Sequence, residues 1–592
     1  MRYRIVCAVV AVFAVTAAFA TDRVEPAFAR DAIGLRAQAA APHLADRAGI
    51  EPLATLAPAA IDAAEELDAI RDWNAQGRFP AKNGFTRAIG DVIHVRIAPG
   101  EARTQSAAGG IVATSERGTN VWSGSIRVEG AYRMRVHLRN VAVPPGTTFW
   151  VYGRDNDAIA FGPELIDNAG ELYTPSVAGD LAYLEMELPA GSAGAAFDVA
   201  DVLELVGSTR VEPNDAPTCL VDATCVSSAT LDVIDLYRRA VADLYYVKGG
   251  SGFVCTGGLI NDSDSATFIP YLLTANHCFS TQTVATTLEA FWDYRTSSCG
   301  GLFPPMSASA RSNGSTLLGT GSASDFTFVR LNSVPAGRAF LGWDARTSII
   351  TAGTTLYRVS HPFPDAFTDP APQRFSTTLI SLTSLTCSAR PRGPYIYSTQ
   401  ATGGVYGGSS GSPVILAGGY VVGQLFGSCG PVDPSAGCDA TNLTLDGAFS
   451  TTYPAISNYI DATPSATCTP NATTACMLNN RFKVTVRYRG GFDNNPADSN
   501  ANVKSVTGFA NPSFETAFFY FNSESNIEMM VKILDQGNTN GQGQPTIAVL
   551  FGSATPLRVE LTIQDMQKGA TKTYQSAFGA MQGTTDFTAF VK

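Results

Sequence analysis

The sequence predicts an all-β protein of three successive units behind an export signal. Three observations point there. Short runs of alternating apolar and polar residues recur between Gly- and Pro-containing turns, the pattern of half-buried antiparallel strands. Few stretches carry helical spacing. A Ser/Thr/Pro/Ala tract, "DATPSATCTPNATTAC" from Asp461 to Cys476, sets the last unit apart from the rest.

The first 20 residues, "MRYRIVCAVVAVFAVTAAFA", place Arg2 and Arg4 before an apolar run from Ile5 to Phe19 and close on Ala18-Phe19-Ala20. This is the pattern of a cleaved secretory signal; a spanning helix wants ~20 apolar residues. No later segment approaches that length, so a secreted protein without a membrane span is expected.

Residues 21–215 contain no cysteine. In "IDAAEELDAIRDWN", Ile61, Ala64, Leu67 and Ile70 recur at helical spacing and predict a short amphipathic helix. The runs "VIHVRI" (from Val92), "YRMRVHLRNV" (Tyr132), "TFWVYG" (Thr148) and "AYLEMEL" (Ala182), with turns such as "PPG" at Pro144, predict antiparallel strands.

Residues 216–462 hold eight cysteines and short β-like runs such as "TFVRL" (Thr327) and "YVVGQLFG" (Tyr420), which favour a barrel or sandwich. One helix is expected within "SSATLDVIDLYRRAVADLYYV", Ser227 to Val247. Residues 463–476 read as a linker with a local disulfide, Cys468–Cys476. In 477–592, "RFKVTVRYRG", "TAFFYFN", "IEMMVKILD", "TIAVLF" and "LRVELTIQD" predict a separate β-sandwich.

Net charge is −11, lysines are scarce and there is no basic block, which argues against nucleic acid as a partner. Of 11 cysteines, Cys7 leaves with the signal. The remaining even number, in an exported chain, suggests disulfides throughout. There is no CxxC pair, and only His277 and His361 accompany the cysteines, so neither a metal nor another cofactor is expected.

The stretch "GGSSGSPV", Gly407 to Val414, carries the chemistry. A serine hydroxyl is a weak nucleophile until a base takes its proton, and the base needs a third group to orient it. Ser410 lies between Gly408 and Gly411, where a tight backbone can aim the N–H groups of Gly408 and Ser410 at an oxyanion. His277 ends the apolar strand of "YLLTANHC", whereas His361, in "VSHPFPD", has no such context. Between His277 and Ser410, "ASDFTFVRL" puts Asp325 at the start of a strand.

The order His277, Asp325, Ser410 resembles that of the chymotrypsin clan. "CTGGLIND…YLLTANHC" and "GSSGSP" look like its histidine and serine signatures, with Ser409 and Ser412 replacing an aspartate and a glycine. Closer still is the likeness to secreted bacterial lysyl endopeptidases, through "CLVDATC", "FWDYRTSSC", "SDFTFVRL", "LGWDA", "SHP" and "GQLFG". The resemblance covers 216–462. It implies a chymotrypsin-like double β-barrel with the site in the cleft between barrels, and the bridges Cys219–Cys429, Cys225–Cys299 and Cys255–Cys278. Cys387 and Cys438 have no partner in that pattern; they are paired with each other, with an exchange between Cys429 and Cys438 left open. Ser410 would attack the scissile carbonyl, His277 act as base and Asp325 hold the histidine tautomer. Activity rising through roughly pH 6–8 is expected of a neutral histidine base.

The chain departs from that family at the pocket for the substrate residue before the cut, P1. The family aspartate aligns with Thr444, the trypsin-type alternative with Gly404, and the family histidine with Phe426. A pocket of Gly404, Phe426, Gly427 and Thr444 favours a small or apolar P1, because a buried cation without a partner costs several kcal/mol. Asp446 keeps a basic P1 open as the alternative.

By the same resemblance, residues 21–215 are a propeptide that aids folding and inhibits, released near Arg210-Val211 or in "PNDAP". Protein or peptide substrates and a monomeric state are expected. The alternative from another class is an inactive protease fold serving as a binding or adhesion protein. "FFYF", Phe518 to Phe521, offers a binding face in the last unit, although alternation makes half of it core.

Overall fold

The structure, a computed structural model, describes residues 24–25, 28–29, 41–49, 51–56, 61–98, 105–107, 110–114, 118–154, 158–192, 194–207, 219–263, 269–363, 372–383, 390–429, 443–461, 468–478, 480–504, 515–539, 545–567 and 570–591. The signal segment, the expected release site, Cys387 and Cys438 lie outside them. No described helix is long and apolar enough to cross a membrane.

The N-terminal unit contains the expected helix, α1 (Ile61–Ala75), followed by a long strand, β1 (Ala81–Ile97). β1 pairs antiparallel with β3 (Ala195–Leu205), which pairs with β2 (Arg133–Ala142). A second sheet joins Asn120–Val128, Thr148–Tyr152 and Leu181–Leu188. Alternate residues of both sheets meet in one core around Trp122, Met134, Phe149 and Phe197.

The protease-like unit begins with α2 (Ile234–Ala240), which passes directly into β4 (Val241–Lys248). The stretch from Ser227 to Val247 thus holds the expected helix and ends in a strand. Tyr245, Tyr246 and Val247 suit a central strand, and β4 is paired on both edges, by β5 (Ser251–Leu259) and by Glu289–Trp292. β5 continues to β6 (Tyr271–Ala275) and β6 to β7 (Phe326–Leu331). This first barrel curls around Leu244, Leu259, Leu272 and Trp292.

The second barrel closes fully. Its strands are β8 (Thr355–Ser360), β9 (Arg374–Ile380), β10 (Tyr395–Thr402), β11 (Pro413–Ile415), β12 (Tyr420–Cys429) and β13 (Leu443–Ala448). The ladder runs β12-β11-β8-β9-β10-β13, and β13 pairs back onto β12. Helix α3 (Phe449–Ile460) follows, with Pro454 inside it. Its buried stripe, Phe449, Thr452, Ile456 and Ile460, faces the apolar seam between the barrels. That seam joins Leu273 and Phe328 of the first barrel to Val359, Phe375 and Ile415 of the second, which fixes the cleft between them.

Two five-stranded sheets form the C-terminal sandwich around Phe482, Phe519, Val531 and Leu561. The expected linker ends inside it. Thr474–Met477 is its first strand, tied to Cys468 by the expected Cys468–Cys476 disulfide. In "FFYF", Phe519 and Phe521 are core while Phe518 and Tyr520 are half-buried.

β1 joins the N-terminal unit to the first barrel. While one edge pairs with β3, residues Ala81, Lys82, Gly84 and Phe85 pair with Val254, Phe253, Gly252 and Ser251 of β5. The result is one twelve-stranded sheet. Beside it, Glu289 is buried between Arg311 (3.3 Å) and Arg135 of the N-terminal unit (3.8 Å), and accepts the Ser176 amide at 2.8 Å. Burial works against the ionised Glu289, but Arg135 and Arg311 hold its carboxyl below the usual range.

Candidate active site

His277, Asp325 and Ser410 come to the cleft from three loops: after β6, before β7 and between β10 and β11. Asp325 lies in a left-handed turn, φ 54°, a strained conformation for a residue with a side chain. Its neighbours hold it there. Its carbonyl accepts from Asn276 N (2.9 Å) and Gln424 Nε2 (3.2 Å). Gln424 also donates to Ser324 O at 2.6 Å, and Ser324 Oγ meets Thr452 Oγ1 of α3 at 2.8 Å.

This turn aims the Asp325 carboxylate at the next loop. Oδ1 accepts the His277 backbone N–H at 2.9 Å, and Oδ2 lies 2.7 Å from His277 Nδ1. The imidazole is thus held in both place and tautomer, with Nδ1 as donor. His277 Nε2 is buried and, among the described residues, has no hydrogen-bond partner. Ser410 Oγ is not bonded to it in this covered form of the cleft.

Ser410 lies beside the histidine loop through its backbone. Its carbonyl accepts from Thr256 N of β5 at 2.8 Å and lies 3.9 Å from Cys278 Sγ. The Cys255–Cys278 disulfide ties β5 to the residue after His277. The sulfurs of Cys255 and Cys278 cluster with a His277 nitrogen within 4.8 Å, but they are bonded to each other and so offer no thiolate to a metal.

The turn around Ser410 requires its glycines. Gly408 has φ 89°, and a Cβ there would lie 2.7 Å from His361 O; Gly411, φ 79°, would meet Thr274 Oγ1. The N–H groups of Ser409, Gly411 and Ser412 donate to Tyr406, Leu425 and Ser409. Among the described residues nothing takes the N–H groups of Gly408 and Ser410, the two expected oxyanion donors. Ser409 and Ser412 are fully buried; their hydroxyls meet Ser360 Oγ (3.1 Å) and Arg358 Nη1 (3.0 Å). His361 is a core residue beneath this turn, its ring stacked on Tyr294.

Beside Ser410 lies a cavity of about 320 Å³. Val405, Tyr406, Leu425, Phe426 and Gly427 line it from the second barrel, and Arg71, Asn74 and Phe79 from the N-terminal unit. Among the described residues no carboxylate lines it. Of the expected pocket residues, Phe426 and Gly427 reach it. Gly404 is buried beside Val405, and Thr444 and Asp446 are fully buried in the barrel. The Asp446 carboxylate is engaged by Arg358 Nη2 at 2.6 Å. Burial raises its pKa and Arg358 opposes that rise.

Cys225–Cys299 and Cys255–Cys278 are formed as the resemblance implied. Cys219 and Cys429 are each disulfide-bonded. Sequence reasoning missed Arg358, Gln424, Thr452 and Phe79, because none sits in a local motif and each acts through contacts distant in the chain.

A family model described as lysyl endopeptidase, C-terminal domain, matches residues 213–442, and one described as lysyl endopeptidase N-terminal domain matches 102–201. A lysyl endopeptidase of Pseudomonas aeruginosa is 26% identical over 319 residues, 52% of this chain and 66% of that protein. The chain thus spans just under two thirds of that relative. Among solved structures, the Rv3671c protease of M. tuberculosis in its active form is similar over 42% of this chain and 93% of its own, at 13% identity and a TM-score of 0.26. An inactivated protease paralogue of the scabies mite is similar over 38% and 97%, at 12% identity and 0.28. Those two likenesses are weak, and the fold stands on the chain's own sheets. With both its N-terminal and its protease-like parts matching models of one family, the chain belongs to the lysyl endopeptidase family.

Proposed function

We propose that the chain is a secreted serine endopeptidase made as a zymogen, with residues 21–215 as its covering propeptide. The reading rests on one observation: His277 is clamped by Asp325 at two points, 2.9 and 2.7 Å, with Nε2 left unengaged. Nε2 takes the proton of Ser410 Oγ as that oxygen attacks the scissile carbonyl, and delivers it to the leaving amine. The N–H groups of Gly408 and Ser410 take the charge on the tetrahedral oxygen. A water, deprotonated by the same imidazole, then releases the acyl chain and restores Ser410.

P1 is small or apolar. Among the described residues no carboxylate lines the cavity beside Ser410, and Asp446, the candidate partner for a basic residue, is already paired with Arg358. An entering lysine would stay unpaired, at a cost of several kcal/mol.

The test is casein hydrolysis by the secreted protein, with and without a serine-directed inhibitor, for wild type and Ser410→Ala. Wild-type hydrolysis should be abolished by both inhibitor and substitution. Equal hydrolysis by the two proteins, or none by wild type after removal of the N-terminal unit, overturns the reading. A peptide library varied at P1 then separates apolar from basic preference.

A further inference from the structure

The connector Ala339–Asp344 carries the chain from the first barrel to the second and is extended along its length. One of its edges belongs to the barrels. Leu341 N donates to Leu259 O at the end of β5, and Leu341 O accepts from Asn261 N, both at 2.9 Å. Gly342 and Trp343 pair in parallel with Tyr420 and Val421 of β12.

The other edge takes a segment from far back in the chain. Val24 and Glu25 pair antiparallel with Asp344 and Trp343, and Phe28 and Ala29 with Phe340 and Ala339. The two short ladders share a single register, with the same interval between them on both strands. In the sequence that interval contains Pro26, which has no N–H to give a ladder. Backbone groups alternate in direction along a strand. With Leu341 turned to the first barrel, Phe340 and Asp344 turn their N–H and C=O groups to the added segment. A strand edge of this kind is a template for an extended peptide.

The same segment leads into the N-terminal unit. There the Glu185 carboxylate accepts the N–H groups of His43 and Leu44 at 2.8 and 2.5 Å, and Ala41 and Ala45 pack with Trp150 and Tyr152. Residues 24–29 thus lie on the protease-like unit and residues 41–49 on the N-terminal one. The contact is separate from the β1 ladder, which takes Ser251–Val254 at the opposite end of β5. A chain of about a dozen residues reaches at most ~40 Å, which keeps a detached strand near its site at an effective concentration of about millimolar.

We propose that the connector Ala339–Asp344 is a strand-docking site on the protease-like unit, and that its occupant is the chain's own N-terminal segment, Val24–Ala29, just beyond the expected signal. Strand addition there fastens the N-terminal unit at a second point, independent of β1. That this fastens an inhibitory cover rests on the zymogen reading above; the docking itself does not.

Residue-resolved hydrogen exchange of the full chain, held as Ser410→Ala, tests the proposal without catalysis. The comparison is Val24→Pro combined with Phe28→Pro, which removes two ladder donors and keeps the length of the segment. In that variant the amides of Phe340 and Asp344 should exchange about tenfold faster or more. Leu341, held by β5, and Ser251–Val254, held by β1, should not change. A synthetic peptide of residues 21–30, added at millimolar concentration, should slow the exchange of Phe340 and Asp344 again, and the same peptide with the two prolines should not. Unchanged exchange at Phe340 and Asp344 in the variant overturns the proposal. So does equally faster exchange across Ser251–Val254, which would mean that the segment supports the whole fold and not a separate docking site. A wild-type chain that hydrolyses no protein would remove the endopeptidase reading and leave the exchange result standing.

Discussion

Inside the second barrel, Arg358 donates to the carboxylate of Asp446 at 2.6 Å, with both side chains essentially inaccessible to water. The same guanidinium reaches Ser412 O and Oγ, each at 3.0 Å, two residues beyond Ser410. Asp446 thus braces, through Arg358, the turn that bears Ser410, and its carboxylate is already engaged.

Removing one partner of such a pair leaves the other charge buried. Asp446→Asn should cost about 3–5 kcal/mol, seen as a lower thermal midpoint, while Arg358→Met combined with Asp446→Leu should recover most of it. The P1 profile of the double variant should match wild type. A profile that changes at P1 would return Asp446 to the substrate pocket.

Asp325 acts only through His277, by its bonds to the backbone N–H and to Nδ1. Asp325→Asn should keep the fold but favour the wrong tautomer, lowering kcat on the order of 10⁴-fold with little change in KM. Steady-state kinetics on one peptide substrate decides it. A loss confined to KM would place Asp325 in binding instead.

Glu289 is the buried anion where the N-terminal unit meets the first barrel. Glu289→Gln leaves Arg135 and Arg311 without their counter-charge and should destabilise the full chain by about 3–5 kcal/mol. Calorimetry of the unprocessed protein, held as Ser410→Ala, reads this directly. An unchanged midpoint would mean that water already compensates both guanidinium groups.

Asp198 gives the N-terminal unit an acid limit. Burial pushes its carboxyl up, but Asn140, His94 and Arg96, at 2.8, 2.8 and 2.7 Å, outweigh that and hold it at about 2. The folded value lies below the ordinary 3.8, so the group's stabilisation is present above about pH 4 and is lost as pH falls towards 2. Fluorescence of the buried Trp122 and Trp150 should report loosening in that window. Asp198→Asn should remove this pH-dependent component.

The strands of all three units were legible because their apolar residues alternate, as Val559, Leu561 and Ile563 do against the sandwich core. His277, Asp325 and Ser410 were legible as candidates because they sit in stretches whose glycines and cysteines have a local purpose. What escaped reading was set by packing over long separations. Nothing near Asp446 announces Arg358, 88 residues away. Pro454 hides α3, whose helix forms because Phe449 and Ile456 have a seam to fill. The alternation of β1 marks a strand but not its partner, and Phe79 stands in a turn that no motif singles out.

In the proposed zymogen β1 is paired along both edges, so hydrolysis between residues 207 and 219 would not by itself uncover the site. A nicked, non-covalent complex persists until the ladder to β5 parts and the Glu289 contacts are given up. The onset of proteolysis should therefore trail the nick by a lag set by that dissociation rate, or by digestion of the severed piece.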